Sequence, residues 1–435
     1  NTILMKKLSL LTLCLMSAFV CLSQTDTPAS ETVTCGPFLS IGEEKGLNVH
    51  DIIWNKNQKV VDSNWNHAVT RSASDVCVRW IDRIRNMPDY LLDFYKEYGD
   101  RVHEALDGTP NWTTDPSLGI YLNNLGSYTT IKLFQGSLDF EFPANSSKTV
   151  IGNAASQAMF VESSKIWNEA NCFLNYLIIC LSLDYPEAFW LSNYFRWGYF
   201  SSYTYKYSPS GGTGTISYDF TLYYLLKNNE FDRRLDVLQD AQLVHSSIQE
   251  YNEKTDKIIK NTPTDRRYDQ VLYFNNWLTM HNCYNSIYNS HPANISDIVW
   301  SPLRALREST GKTGPVCEAY ARAFKIFCDR QNIPCVLQYG FAKGSRYATG
   351  ESHMWNEVKM DDGNWYAVDV TWDDPIVNNN NNKISGNENT FWLLIGKYDL
   401  VGDNFTFEES HPASIVWEYN PEYEDVWDFD VFSLI

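Results

Sequence analysis

The chain has 435 residues, 44% of them hydrophobic and 15% aromatic, which is enough to bury a core in one large domain or two. That composition excludes a disordered chain. The formal net charge of −18 argues against a nucleic-acid partner, whose phosphates call for a basic surface, and otherwise suits any protein that lives in water.

The first predicted element is an export signal. In "NTILMKKLSLLTLCLMSAFVCLSQ", Lys6 and Lys7 precede an apolar run from Leu8 to about Leu22, closed by polar Gln24 to Asp26. The run is short for a membrane span of roughly 20 residues. We expect residues 1–23 to be a cleaved signal peptide, with translation starting at Met5 and the product secreted or at the cell surface. Lipid attachment at Cys21 is the weaker reading, because Val20 is bulky where such sites want a small residue. No later stretch has the length and apolarity of a transmembrane segment; Leu174 to Leu183 is too short and reads as a buried helix.

Residues 24 to about 70 show little periodicity and read as a loose lead-in. Ser74 to Leu106 has helical spacing broken at Pro88. Gly108 to Ser147 mixes turn residues with runs such as "YTTIKLF" and "LDFEF", which predict short strands. Lys148 to Leu183 is helical again, and the aromatic, partly alternating stretch from Asp184 to Ser208 reads as strands. Gly211 to Thr215, "GGTGT", reads as a turn; a phosphate cradle would need a Lys-Ser/Thr pair after it, which is absent. Phe231 to Lys260 is a long polar helix. Tyr268 to Met280 is amphipathic, with Val271, Phe274, Trp277 and Leu278 on one face. Asn378 to Asn382 is a low-complexity surface loop. Sequons at Asn111, Asn145, Asn294 and Asn404 count only in a glycosylating eukaryote, and chance is the better reading.

Ten cysteines include Cys14 and Cys21 in the signal, leaving Cys35, Cys77, Cys172, Cys180, Cys283, Cys317, Cys328 and Cys335. Outside the cell these are candidate disulfide partners. With Cys317 a free thiol, an odd number remains. Each of the others reads as a small buried apolar residue or half of a bridge.

Cys317 stands apart because of its setting, "TGPVCEAYARAF". Gly314 and Pro315 halt the chain, and a helix begins at the cysteine. Tyr320, Ala323, Phe324, Phe327 and Cys328 form its buried stripe, and Asn332-Ile333-Pro334 ends it. In the first turn, unpaired backbone N–H groups and the helix dipole favour a thiolate and can hold a developing oxyanion. A lone cysteine there would still read as buried packing.

Two later segments change that reading. "CVLQYGF" predicts a strand, and "HMWNEVKM" and "NWYAVDVTW" form a hairpin about Asp361-Asp362-Gly363. A two-residue turn would put His353 and Asp369 on opposite faces. A three-residue loop with Gly363 left-handed pairs Met360 with Asn364 and sets Asp369 opposite Trp355, diagonal to His353 at roughly 7–8 Å. We predict the three-residue form.

Together, "GPVCEAYARAFKIFCDRQNIPC", "HMWNEVKMDDGNWYAVDVTWDDP" and "FWLLIGKYDL" resemble the core of the transglutaminase-like superfamily, in the family's order and over about Gly314 to Leu400. "YDQVLYFNNWLTMHNCYN" resembles the helix that commonly precedes the core, and "DYPEAFWL" a segment of secreted bacterial members. The resemblance implies an α+β, papain-like fold, with a nucleophile helix packed on an antiparallel sheet and an N-terminal helical and strand region. It divides the chain into that region at 24–164, a catalytic domain at 165–415 and an acidic aromatic tail at 416–435. It also implies a triad in which Cys317 is the nucleophile, His353 the base and acid, and Asp369 the orienting carboxylate. Family members often show Gly where Pro315 and Ala319 stand here. Proline early in a helix is well tolerated, but it removes one N–H beside the site.

Trp277 and Trp300 are candidates for a second oxyanion donor, with core packing the plainer role. Trp355, Trp365 and Trp372 could line a substrate groove, with core packing the commoner role for aromatic residues. His281, His291 and His411 have no metal-ligand spacing. Asp373-Asp374 reads as a solvated turn and not as a calcium loop. The expected function is hydrolysis of protein or peptide amides, without metal or cofactor. Glutamine cross-linking is the runner-up. An idle surface or wall-binding module that keeps the fold is the reading of another class.

Overall fold

The structure, a computed structural model, describes residues 32–41, 47–48, 78–107 except 85, 128–206, 210–226, 237–285 except 265, 297–309, 314–374, 389–414 except 403, and 422. The expected signal peptide at 1–23, Cys77, Asn111, His291, Asn294, the loop at Asn378 to Asn382 and the tail apart from Glu422 lie outside these residues.

Two antiparallel sheets form the frame. The first has the order β1-β4-β5-β3, with β2 also on β4, where β1 is Thr32–Ile41, β2 Leu47–Asn48, β3 Tyr128–Phe142, β4 Leu191–Lys206 and β5 Gly212–Leu226. The second has the order β6-β7-β8-β9, from Cys335–Ala342, Glu351–Lys359, Trp365–Val368 and Leu393–Ile395. Fold class and α+β character are as the sequence predicts.

Several boundaries differ from expectation. Thr32 to Ile41 is not a loose lead-in: it lies along β4, with Thr32 opposite Lys206. The runs "YTTIKLF" and "LDFEF" are not separate short strands but one, because β3 pairs with β5 almost throughout. Gly136 is there for space, since a Cβ would lie 2.4 Å from the Tyr218 ring. Likewise only Gly211, at φ +88°, belongs to the expected turn, and β5 begins at Gly212.

Helix α1 (Asp89–Asp107) starts just after Pro88, and α2 (Lys148–Asp184) is capped by Ser147, whose side chain accepts from Val150 N. Leu174, Leu177, Ile178, Leu181 and Leu183 are all buried, on every side of α2, because it runs between the two sheets' elements. No described helix is long and apolar enough to cross a membrane. A domain boundary at 164 would cut α2, and the strands of the first sheet all come from residues 32–226.

The C-terminus of α2 ties the two parts together. Asp184 accepts from Trp80 N (2.7 Å), Ile81 N (3.1 Å) and Tyr95 Oη (2.9 Å). Burial pushes its carboxyl up to about 6 against those donors. Trp80 Nε1 in turn donates to Leu337 O on β6 (3.0 Å). Against the second sheet, α3 (Val237–Lys260), α4 (Arg267–His281), α5 (Pro302–Leu306) and α6 (Cys317–Arg330) share a core in which Phe274 meets Phe324 and Phe327.

Candidate active site

Helix α6 begins at Cys317 because the residues before it are occupied elsewhere. Pro315 O accepts from Asn285 N (3.0 Å), and Val316 N donates to Val299 O (3.1 Å). Val316 is the extended N-cap, and its carbonyl takes the first helical bonds from Ala319 N (2.9 Å) and Tyr320 N (3.2 Å). The amides of Cys317 and Glu318 therefore precede the first intrahelical bond, at the positive end of the dipole.

The predicted stripe is only part of what α6 buries. Every residue from Cys317 to Cys328 is buried, including Glu318, Arg322 and Lys325. Arg322 pairs with Glu318 (2.9 Å) and donates to Ser182 O and Oγ on α2 (3.0 and 2.7 Å). Lys325 bonds Asp329 (2.9 Å) and Cys335 O (3.0 Å). The end of α2 and the chain at Cys335 thus cover the face that periodicity alone assigns to solvent.

The hairpin takes the three-residue form. Met360 N donates to Asn364 O (2.9 Å), Gly363 N donates to Met360 O (3.0 Å), and Gly363 has φ +86°. Lys359 pairs with Trp365 and Asn356 with Val368, so the next pair in the register is Trp355 with Asp369. His353 and Asp369 consequently share a face, and His353 Nε2 donates to Asp369 Oδ2 at 2.7 Å. Cys317 also lies close enough to raise the His353 imidazole, and with Nε2 on Asp369 the remaining ring nitrogen is Nδ1. The structure therefore brings Cys317, His353 and Asp369 together.

All three are buried, His353 with 6% exposure and Asp369 with none. Burial is the largest influence on His353 and opposes its charge, but the Asp369 carboxylate and the contact with Cys317 outweigh it and lift the imidazole to about 10. Burial likewise works against the Asp369 charge, yet His353 and His411 hold that carboxyl well below the usual range. Oδ1 of Asp369 accepts from Thr371 N (3.0 Å) and Trp372 N (3.3 Å), which fixes the carboxylate plane.

His411 belongs to this cluster, and no spacing rule in the sequence finds it. Its Nε2 donates to the same Asp369 Oδ2 at 3.0 Å. His353, Asp369 and His411 offer three donor atoms within 4.8 Å of one another, a set that could hold a divalent ion. The two short N–H···O bonds already account for those atoms, so an ion would have to displace both protons.

The other candidates divide. Trp372 stands over the site, 5.7 Å from His353 between ring centroids, whereas Trp355 is buried beside His353 and Trp365 packs against the core. Trp277 stacks on His281 at 4.5 Å and meets Phe327 edge-on, a packing role. Trp300 follows Val299 and so lies next to the α6 N-cap. Asp373 and Asp374 do not form a solvated turn: both are buried, Asp373 accepting from Trp392 N (2.9 Å) and Asp374 from Tyr320 Oη (2.5 Å). Cys35, Cys180, Cys283, Cys317, Cys328 and Cys335 are buried free thiols.

With this geometry in view, the comparisons with known proteins fall into place. The family model of the transglutaminase-like superfamily matches residues 253–370, which hold Cys317, His353 and Asp369 and end before His411. Those residues belong to the transglutaminase-like superfamily. Two similar proteins are kyphoscoliosis peptidases. The one from Mus musculus is 28% identical over 188 residues, 41% of this chain and 27% of that protein. The one from Homo sapiens is 31% identical over 179 residues, 40% of this chain and 25% of that protein. The chain thus spans about a quarter of the length of the relatives it matches. A solved structure described as "Crystal structure of a TGase" shares 16% identity over 41% of this chain and 46% of that one, at a TM-score of 0.24, an overlap too loose to carry any argument. The transglutaminase-like domain accordingly joins α3 and α4, the Cys317 helix and the His353–Asp369 hairpin, and borrows His411 from beyond the matched segment.

Proposed function

We propose that this protein is a cysteine-dependent acyl-transfer enzyme that hydrolyses protein or peptide amide bonds, and that the leader read in residues 1–23 carries it out of the cell. The observation that carries the reading is the His353–Asp369 bond of 2.7 Å on a ring that Cys317 is also close enough to influence. With its proton already on His353, Cys317 Sγ attacks the amide carbon as a thiolate. The oxyanion that forms faces the amides at the start of α6. His353 then protonates the departing amine, leaving an acyl-thioester on Cys317. Water, deprotonated by His353, attacks the thioester and restores the thiolate–imidazolium pair. Asp369 keeps the ring in the tautomer that can do both.

Transfer to an amine in place of water gives cross-linking from the same intermediate, and the superfamily keeps that second reading open. The peptidase names of both relatives favour hydrolysis. The test is to incubate wild type and Cys317→Ala with glutamine-containing peptides, with and without a labelled amine. We expect deamidation or peptide cleavage by wild type only, at a rate at least about 10³-fold above the variant's. Amine incorporation by wild type would replace hydrolysis with cross-linking. Equal rates for the two proteins would end the enzyme reading and leave a binding module.

A further inference from the structure

His411 is held with more care than a core histidine requires. Residues 410–414 add to the free edge of β6: Lys343 N donates to Ser410 O (3.0 Å), Phe341 N to Pro412 O (3.2 Å) and Ser414 N to Tyr339 O (2.8 Å). Gly340 bridges to Ala413 on that side and pairs with His353 on the other. A Cβ on Gly340 would lie 2.3 Å from Pro412 O, so this glycine is what lets the added segment approach. The ring of His411 stacks on Phe407, 4.3 Å away and 5° from parallel, and Trp372, Trp355 and Trp392 close around it at 4.6, 5.2 and 5.4 Å.

Inside that box its hydrogen bonding leaves one protonation state. Nε2 faces the Asp369 carboxylate and must carry the proton, while Nδ1 is buried and finds no hydrogen-bond partner among the described residues. Burial disfavours a second proton and pushes the imidazole down. The titratable groups that touch it are Asp369 and His353. Asp373, in the same turn as Asp369, is pushed up by burial toward its neutral form, and on α7 (Phe407–Ser410) Glu408 and Glu409 turn away to Lys397 and Arg346.

We propose that His411 is a positioning residue of the site: a neutral imidazole, fixed with its proton on Nε2, that shares Asp369 Oδ2 with His353 and so orients the carboxylate and moderates its pull on the His353 proton. The proposal rests on Cys317, His353 and Asp369 being the reacting group. Without His411, Oδ2 keeps one partner. The carboxylate then turns more freely and places more of its charge on His353, which holds its proton more tightly and gives it up less readily to a leaving amine.

His411→Phe keeps the aromatic stack and removes the donor, whereas His411→Gln restores an N–H near the position of Nε2. On a glutamine peptide we expect His411→Phe to lower kcat about 10- to 100-fold with KM unchanged, and His411→Gln to recover most of it. The alkaline limb of the pH profile should move upward in His411→Phe from its wild-type position near 10. Alkylation of Cys317 by iodoacetamide, followed by peptide mapping, gives the same comparison without a substrate. A wild-type Cys317 that does not react overturns the underlying thiol reading, and this proposal with it. A reactive wild type whose rate and pH dependence are unchanged in His411→Phe, or lost equally in Phe and Gln, overturns the role of His411 alone. Should His411→Phe not fold, ring ¹⁵N shifts of wild type decide: a neutral Nε2–H tautomer from pH 5 to 8 supports the proposal. A charged ring, an Nδ1–H tautomer, or a metal-bound ring that EDTA releases overturns it.

Discussion

Asp369→Asn is expected to lower kcat about 10⁴-fold at neutral pH while leaving the protein folded. An asparagine can still accept from Thr371 N and Trp372 N through Oδ1, which keeps the turn. Its Nδ2 would then stand where Oδ2 now accepts from both histidines, and three N–H groups cannot share one contact. His353 escapes by turning its lone pair to Nε2, which puts the proton on Nδ1 and leaves no base facing Cys317. The charge effect has the same sign. Asp369 holds the imidazolium to about 10, so without it the protonated ring is lost as pH rises through a much lower value, toward the ordinary histidine range near 6.5. The pH profile of kcat/KM is the check: its alkaline limb should move down. A variant with wild-type rate, or with an unmoved limb, would remove Asp369 from the mechanism.

Gly314→Ala should be nearly as damaging, although it touches no reacting atom. A Cβ there would lie 1.6 Å from Cys283 O and 2.7 Å from Cys283 C, both backbone atoms with little room to yield. That strand of chain is anchored on each side, since Cys283 N donates to Ser309 Oγ (3.2 Å) and Asn285 N to Pro315 O (3.0 Å). The loop at 314–316 must therefore move, and Cys317 with it. We expect a loss of about 1–3 kcal/mol in urea unfolding, and at least about 10²-fold in kcat/KM of the folded protein, as for a misplacement of about 1 Å. Wild-type values in both would show that the Cys283 segment does not set the position of Cys317.

Much of the site was legible because its signals are local. The Gly-Pro stop, the 3.6-residue stripe from Tyr320 to Cys328 and the period-2 alternation on either side of Asp361-Asp362-Gly363 specify helix, strand and register within some fifty residues. What escaped depends on distant partners. His411 reaches Asp369 only because a segment 42 residues further on adds to the edge of β6 at Gly340. Glu318, Arg322 and Lys325 look like a solvated helix face until Ser182 and the chain around Cys335 cover them. "YTTIKLF" and "LDFEF" read as separate short strands, yet one strand runs through both and Gly136 between them makes room for Tyr218. Asp373 and Asp374 read as a wet turn, but both are buried and accept from Trp392 N and Tyr320 Oη. In each case the local pattern was real, and a long-range contact changed its meaning.

The most direct test of the proposed role of Cys317 is its alkylation in the folded protein at pH 7, wild type against His353→Ala, with the modified peptide identified by mass. The pairing with His353 predicts that Cys317 reacts ahead of Cys35, Cys180, Cys283, Cys328 and Cys335, and that its rate falls at least about tenfold in the variant. A Cys317 that stays unmodified, or that reacts equally fast without His353, would contradict it.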